Sequence, residues 1–199
     1  MKKLNIIVAL SLSAFAIVLF YLTAETSSAQ MSSKTNTSAL AEQPTSKVDF
    51  EAFEKLTKEV KEYRKSRLVD LETFLKFSKE KNTIILDTRS EKMFRAKHVK
   101  RAINLNFSDF TQSNLAQVIS TKEIRILIYC NTNFMNDEIH FNTKVAIENN
   151  KSKEELTLAL NIPTFINLYG YGYKNVYELS ELISLPSGLI EFEGTSVAK

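Results

Sequence analysis

Apolar positions recur at three- and four-residue steps from Val48 to Tyr63, at Phe50, Phe53, Leu56, Val60 and Tyr63, and predict an amphipathic helix over about 48–64. A short apolar step, "RLVD", ends at Asp70, a residue suited to cap a helix that carries Leu71, Phe74, Leu75 and Phe77. The isoleucine-rich run Thr83 to Asp87 is bounded by polar residues and predicts a buried strand. A short helix is expected over 90–96, a strand at "AINLN", and helical turns over 108–119 with Leu115, Val118 and Ile119 inward. "IRILIYC", residues 124–130, is the strongest strand signal in the chain. A long polar segment, 131–153, has little periodicity. Beyond it the pattern predicts helical spacing over 154–160, a strand at "PTFINLYG" and a helix at "YKNVYELSELI", where Val176, Leu179, Leu182 and Ile183 fall at helical steps. No internal repeat is visible.

Strands alternating with helices imply an α/β fold: a central, mostly parallel sheet flanked by helices on both faces. Such sheets bind ligands outside the carboxyl ends of their strands. Cys130, the single cysteine, falls at the carboxyl end of the most hydrophobic strand. That position favours a functional thiol. The plainer alternative is burial, since free cysteine is among the most buried residue types.

The N-terminus changes the compartment. Two lysines precede an apolar run from Ile6 to Leu22, and Ser27 and Ala29 follow in a small-x-small arrangement. This pattern predicts a signal peptide over 1–29 and an exported, periplasmic or secreted protein. The alternative is an uncleaved membrane anchor through residues 6–22, short for a bilayer span. Residues 30–47 are rich in Ser, Thr and Lys and are expected to form a disordered tether. The domain is expected over 48–190, with its core at 66–184 and a flexible tail at 191–199. Lys plus Arg total 26 against 23 for Asp plus Glu, and the excess is dispersed, so no nucleic-acid footprint is present. One cysteine excludes an internal disulfide. In an oxidising compartment a free thiol is unusual.

Four segments in order resemble a rhodanese-like domain: "LDTRS" at 86–90, "KHVKRAINL" at 97–105, "ILIYC" at 126–130 and "INLYGYGYKNVYEL" at 166–179. The resemblance covers about residues 66–184. It implies a sulfurtransferase or persulfide carrier with Cys130 as nucleophile, working on a small sulfur compound or a protein persulfide partner, without cofactor or metal. It also implies that "INLYGYGYKNVYEL" holds the last strand, a glycine pair and the closing helix. Lys97 and Arg101 stand where the family usually has glycines, and Tyr171 separates Gly170 from Gly172.

The chief departure is the loop after the thiol. Asn131, Thr132, Asn133, Phe134, Met135 and Asn136 occupy the positions of the family's substrate loop, which often carries basic residues. Here Asp137 and Glu138 follow, and no basic residue comes before Lys144. Backbone N–H groups curling round the sulfur would favour the thiolate, the reactive form of a group whose ordinary pKa is about 8.5. Exchanging a loop arginine for asparagine costs about 1.5–3 kcal/mol against a dianion such as thiosulfate. The alternative is a catalytically weak or inactive module of the same fold, binding a protein or small-molecule partner through the altered loop. The chain from Cys130 to Ile162 also exceeds a typical member by about ten residues, an insertion expected within 136–153.

Asp87 and Arg89 are read as a structural pair behind the first strand's loop. His98 is read as a histidine hydrogen-bonded inside the fold. A Cys–His pair through His140 rests only on proximity in sequence. Two histidines and one cysteine offer no metal-ligand spacing. Tyr169, Tyr171, Tyr173 and Tyr177 either line a binding surface or pack about the glycines.

Overall fold

The computed structural model describes residues 46–146, 156–185 and 187–197. The leader and most of the expected tether lie outside the described residues. From Asp49 onward the chain forms one compact unit.

Helix α1 (Phe50–Lys65) starts at Asp49, whose carboxylate accepts the N–H of Ala52 at 2.9 Å. Strand β1 (Leu68–Val69) leads to α2 (Leu71–Ser78), capped by Asp70 through the N–H of Thr73 at 2.8 Å. Strand β2 (Thr83–Asp87) is followed by α3 (Glu91–Ala96), β3 (His98–Val99) and β4 (Ala102–Asn104). A 3-10 turn (Phe107–Asp109) and α4 (Gln112–Val118) precede β5 (Arg125–Ile128). A second 3-10 turn (Asn131–Asn133) runs into β6 (Phe134–Met135). Then come β7 (Val145–Ala146), β8 (Leu156–Thr157), α5 (Asn161–Gly170), β9 (Val176–Leu179), β10 (Ile183–Ser184) and β11 (Phe192–Glu193).

Five strands form one parallel sheet in the order β1-β9-β5-β2-β4. Side-chain alternation splits the core into two layers. Ile126 and Ile128 face Val60 of α1, Leu115 of α4 and Phe165 and Leu168 of α5. Leu127 and Tyr129 face Leu71 and Phe74 of α2. The apolar stripe of α1 is covered from Leu56 onward, while Phe50 and Phe53 stay exposed.

Four expectations need correction. "PTFINLYG" is not a strand but the body of α5, and "YKNVYELSELI" is not a helix but carries β9. Phe165, Ile166, Leu168 and Tyr169 are all buried, so α5 is apolar on more than one side and loses the helical periodicity that marks a surface helix. Pro163 fits because it stands in the first turn, where its missing N–H breaks no helical bond. In β9 the helical steps are coincidental: Val176 and Leu179 lie on opposite sides of the sheet, in the two different core layers. Glu178 is buried in that strand because Arg64 of α1 grips its carboxylate in two bonds of 2.5 Å and Asn161 of α5 donates a third. In the span 154–160, expected to show helical spacing, residues 154 and 155 lie outside the described residues, and Leu156–Thr157 form β8, which pairs antiparallel with β7.

The fourth correction concerns the tail. Residues 192–193 pair antiparallel with β3, and Phe192 packs on Phe134 and Phe141 with ring centroids 5.3 and 5.5 Å away. Gly194 permits the exit: its φ is +136°, and a Cβ there would stand 2.3 Å from the carbonyl oxygen of Ala96. The glycines near α5 differ from one another. Gly172, with φ +91°, ends the helix in a left-handed turn that lets Tyr173 N–H reach Leu168 O at 2.9 Å. Gly170 is helical and lets Leu56 of α1 approach.

Candidate active site

The order of the sheet sets the place of the site. After β2 the chain crosses to β4 on one side, and after β5 it crosses to β9 on the other. The loops leaving β2 and β5 therefore diverge and leave a crevice at their carboxyl ends. A cavity of about 400 Å³ fills that crevice. Thr88, Arg89 and Ser90 line it from the end of β2, and Cys130, Asn131 and Thr132 from the end of β5. Asn106, Phe107 and Ser108 close it from the 3-10 turn after β4. Leu158, Ala159 and Leu160 close it ahead of α5, and Asn142 and Lys144 come in from the segment leading to β7.

Cys130 stands two residues beyond the last residue of β5 and is 4% exposed. Its backbone is held firmly. Its N–H donates to Asn133 Oδ1 at 2.8 Å, and its carbonyl accepts the N–H of Asn133 at 3.0 Å. Asn133 Nδ2 donates to the carbonyls of Leu179 and Glu181 at 2.9 and 3.0 Å. Asn133 is thus a bracket between the thiol's turn and the end of β9, not an open donor for an anion. Replacing it with alanine strands the Cys130 N–H and two carbonyls. The expected loss is about 2–4 kcal/mol in urea unfolding, because each buried partner left unmade costs about 1–3 kcal/mol. A loss under about 1 kcal/mol would show that water replaces the amide.

The rest of the loop departs from the six-residue cradle. Phe134 is in the core, with ring centroids 5.7 Å from Tyr129 and 4.5 Å from Phe141. β6 pairs parallel with β10, and Asn136, with φ +69°, donates from Nδ2 to Ser184 Oγ at 2.9 Å. Asn133, Phe134, Met135 and Asn136 do not line the cavity. Asn131 donates to the carbonyl of Asn142 at 2.7 Å, tying the turn to the segment that brings Lys144.

Charge around the thiol comes from outside the loop. Lys144, fourteen residues downstream of Cys130 and exposed, lines the cavity. Arg89 lines it too, but its charge is met by Asp87, with Nη2 2.6 Å from Oδ2 and Nε 3.0 Å from Oδ1. Burial alone would lower the Arg89 pKa, yet the hydrogen bonds and charge of Asp87 hold it above the ordinary value. Its remaining donors reach the carbonyls of Lys97 and His140 at 2.7 and 2.9 Å. Tyr129 donates its hydroxyl to Asp87, and burial followed by the Asp87 charge pushes its pKa well up, so it stays protonated. Asp87, fully buried, and Arg89 hold the loops after β2, α3 and β6 together behind the cavity wall.

Asp137 and Glu138 are not on that wall. Asp137 is paired with Lys97 at 2.8 Å and with His140 Nδ1 at 2.7 Å. Its negative charge is met by these partners and does not face the cavity. His140 is likewise absent from the wall, so sequence proximity to Cys130 does not become a Cys–His pair in the cavity. His98 stacks on Phe94 at 3.8 Å and bonds its carbonyl through Nδ1 at 2.7 Å. The tyrosines pack: Tyr173 is buried, Tyr171 donates to Phe110 O at 3.1 Å, and Tyr177 accepts from Arg67 at 2.6 Å. Among the described residues, no cluster of His, Cys, Asp and Glu is placed to hold a metal ion, and no helix is long and apolar enough to cross a membrane.

Burial tends to raise the Asp137 pKa, but the bonds from Lys97 and His140 outweigh it and hold it below the usual carboxylate value. A depressed carboxylate stabilises the fold above its unfolded pKa, about 3.9, and loses that contribution as pH falls through the folded value. Asp137→Asn is therefore expected to be less stable than wild type near neutrality by about 1.5–3 kcal/mol, the scale of bonds to charged groups. The gap should narrow as pH falls below the unfolded carboxylate value, about 3.9, in denaturant titrations. A gap that stays constant with pH would exclude the ion pair as its source.

These features define an open parallel α/β domain that carries a thiol at the switch point of its sheet. The rhodanese-like domain pattern matches residues 70–181, more than half of the chain, and the protein belongs to the rhodanese-like family within the sulfurtransferase superfamily. Among solved structures the chain is similar to the BH2092 protein from Bacillus halodurans, with 18% identity, a TM-score of 0.46, and coverage of 70% of this chain and 86% of that one. No curated protein matches the sequence.

Proposed function

We propose that the protein is a persulfide carrier in which Cys130 accepts and passes on a single sulfur atom. The observation that carries this reading is the thiol's place on the wall of the crevice cavity, a wall to which Lys144 also contributes a cation. The Cys130 thiolate attacks the outer sulfur of a donor R–S–S⁻ and forms a new S–S bond. The donor's S–S bond breaks and R–S⁻ leaves with the electron pair. A nucleophilic acceptor then takes the outer sulfur from Cys130 and restores the thiolate. No external oxidant enters either step. The donor is a small sulfur compound or a protein persulfide. The apolar leader over residues 6–22 supports work outside the cytoplasm, or at a membrane if the leader is retained.

A specific observation favours a second reading, a binding module without turnover. The amides of Asn133 and Phe134 are spent on the carbonyls of Cys130 and Asn131, so they offer nothing to a bound anion. The test is incubation with inorganic polysulfide, followed by intact mass and peptide mapping. An added sulfur atom mapped to Cys130, removable by cyanide or a thiol, is the expected result. A protein that gains no sulfur from any donor is a binding module.

A further inference from the structure

Resting on that reading, we infer that the donor is an organic sulfur compound with an apolar body and one negative charge, and that Lys144 and Leu158 select it. Size is the first argument. The cavity, about 400 Å³, falls within the range of organic-ligand sites, roughly 300–1,000 Å³. Thiosulfate would leave most of it unfilled. Wall chemistry is the second argument. Met93, Phe107, Leu158, Ala159 and Leu160 present mainly carbon, while Thr88, Ser90, Ser108 and Thr132 offer neutral hydroxyls. Charge is the third. Arg89 is neutralised by Asp87 at 2.6 Å, which leaves Lys144 as the wall cation that pairs with no acidic side chain among the described residues. One such cation suits a monoanion and compensates only half of a dianion.

The placement of Lys144 and Leu158 makes them a unit. The N–H of Leu158 donates to the carbonyl of Lys144 at 2.9 Å, so the residue before β7 and the residue after β8 are held side by side on the cavity wall. A ligand with its anionic sulfur end between Cys130 and Lys144 would lay its body against Leu158 and Phe107. For an organic thiosulfonate, R–SO₂–S⁻, the Cys130 thiolate attacks the outer sulfur and forms the new S–S bond. The bond between the two sulfurs of the donor breaks, and the sulfinate R–SO₂⁻ leaves with the electron pair. Charge is conserved, since two anions give a persulfide anion and a sulfinate.

The test compares three donors on the full chain: thiosulfate, methanethiosulfonate and benzenethiosulfonate. Each rate of sulfur addition to Cys130 is divided by the rate with a free alkyl thiol, which removes intrinsic reactivity. Burying the ring predicts benzenethiosulfonate at least about tenfold faster than methanethiosulfonate. Thiosulfate should be slower than both. Leu158→Ser should erase most of the ring's advantage, and Lys144→Gln should slow both thiosulfonates by roughly three- to fivefold. Both side chains are exposed, so neither change threatens folding. Equal normalised rates for the two thiosulfonates would overturn the inference and leave the carrier reading intact. Binding of unreactive benzenesulfonate is measured in parallel by calorimetry. Binding that depends on Lys144 and Leu158, without sulfur transfer from any donor, would keep the ligand class and sink the carrier. Absence of benzenesulfonate binding together with equal rates would remove the ligand class by two routes.

Discussion

Asp87→Ala is expected to destabilise the domain by about 3–5 kcal/mol, the cost of leaving a buried charge without its partner. Asp87 has no exposed surface and Arg89 has 5%. The carboxylate meets the Arg89 backbone N–H at 2.9 Å and its guanidinium at 2.6 Å, and also takes the Tyr129 hydroxyl. Alanine removes all of these at once. Arg89 would keep two carbonyl contacts, to Lys97 and His140, but no compensating charge. The control is Asp87→Ala combined with Arg89→Leu, which removes the orphaned cation and should recover part of the loss. Chemical unfolding at neutral pH measures both. A single-variant loss below about 1 kcal/mol would mean that water enters and solvates Arg89. The same pair shapes the wall at Thr88 to Ser90, so sulfur loading should fall with stability.

Cys130→Ser is expected to abolish sulfur loading and leave most of the stability in place. The hydroxyl is a far weaker nucleophile than a thiolate at neutral pH. Burying it without a partner costs about 1–3 kcal/mol on the mutational scale. Its contact with the cavity favours the lower end. The contrast with Asn133→Ala is informative, since that variant keeps the thiol and loses the bracket that positions it. If Cys130→Ser still gains sulfur, another nucleophile carries the chemistry and the proposed site is wrong. If it unfolds while Asn133→Ala does not, the thiol is core filler.

Much of the fold is legible in the pattern of residues. The strand expected at Thr83 to Asp87 is β2 residue for residue. The helix expected over 48–64 is α1, and the cap at Asp70 is made by its own carboxylate. These elements announce themselves because one face is apolar and the other wet, or because a cap sits at a boundary. The swap between α5 and β9 has the opposite cause. A helix buried on several sides has no wet face to mark its period, and a strand with Glu178 inside it does not look buried until Arg64 is known to reach it.

The candidate site divides along the same line. Sequence by itself placed a lone thiol at the end of the most hydrophobic strand, an Asp–Arg step behind it, and a loop poor in cations. Hydrophobic periodicity and local backbone preference act over a few residues, and these features are local. Tertiary structure alone decided that Asn133 is a bracket, that Asp137 is neutralised by Lys97, and that Lys144 and Leu158 return to the cavity. Those facts depend on which distant segments meet at the carboxyl edge of the sheet. Strand order and the pairing of β7 with β8 set that meeting, through contacts that no short stretch of sequence contains.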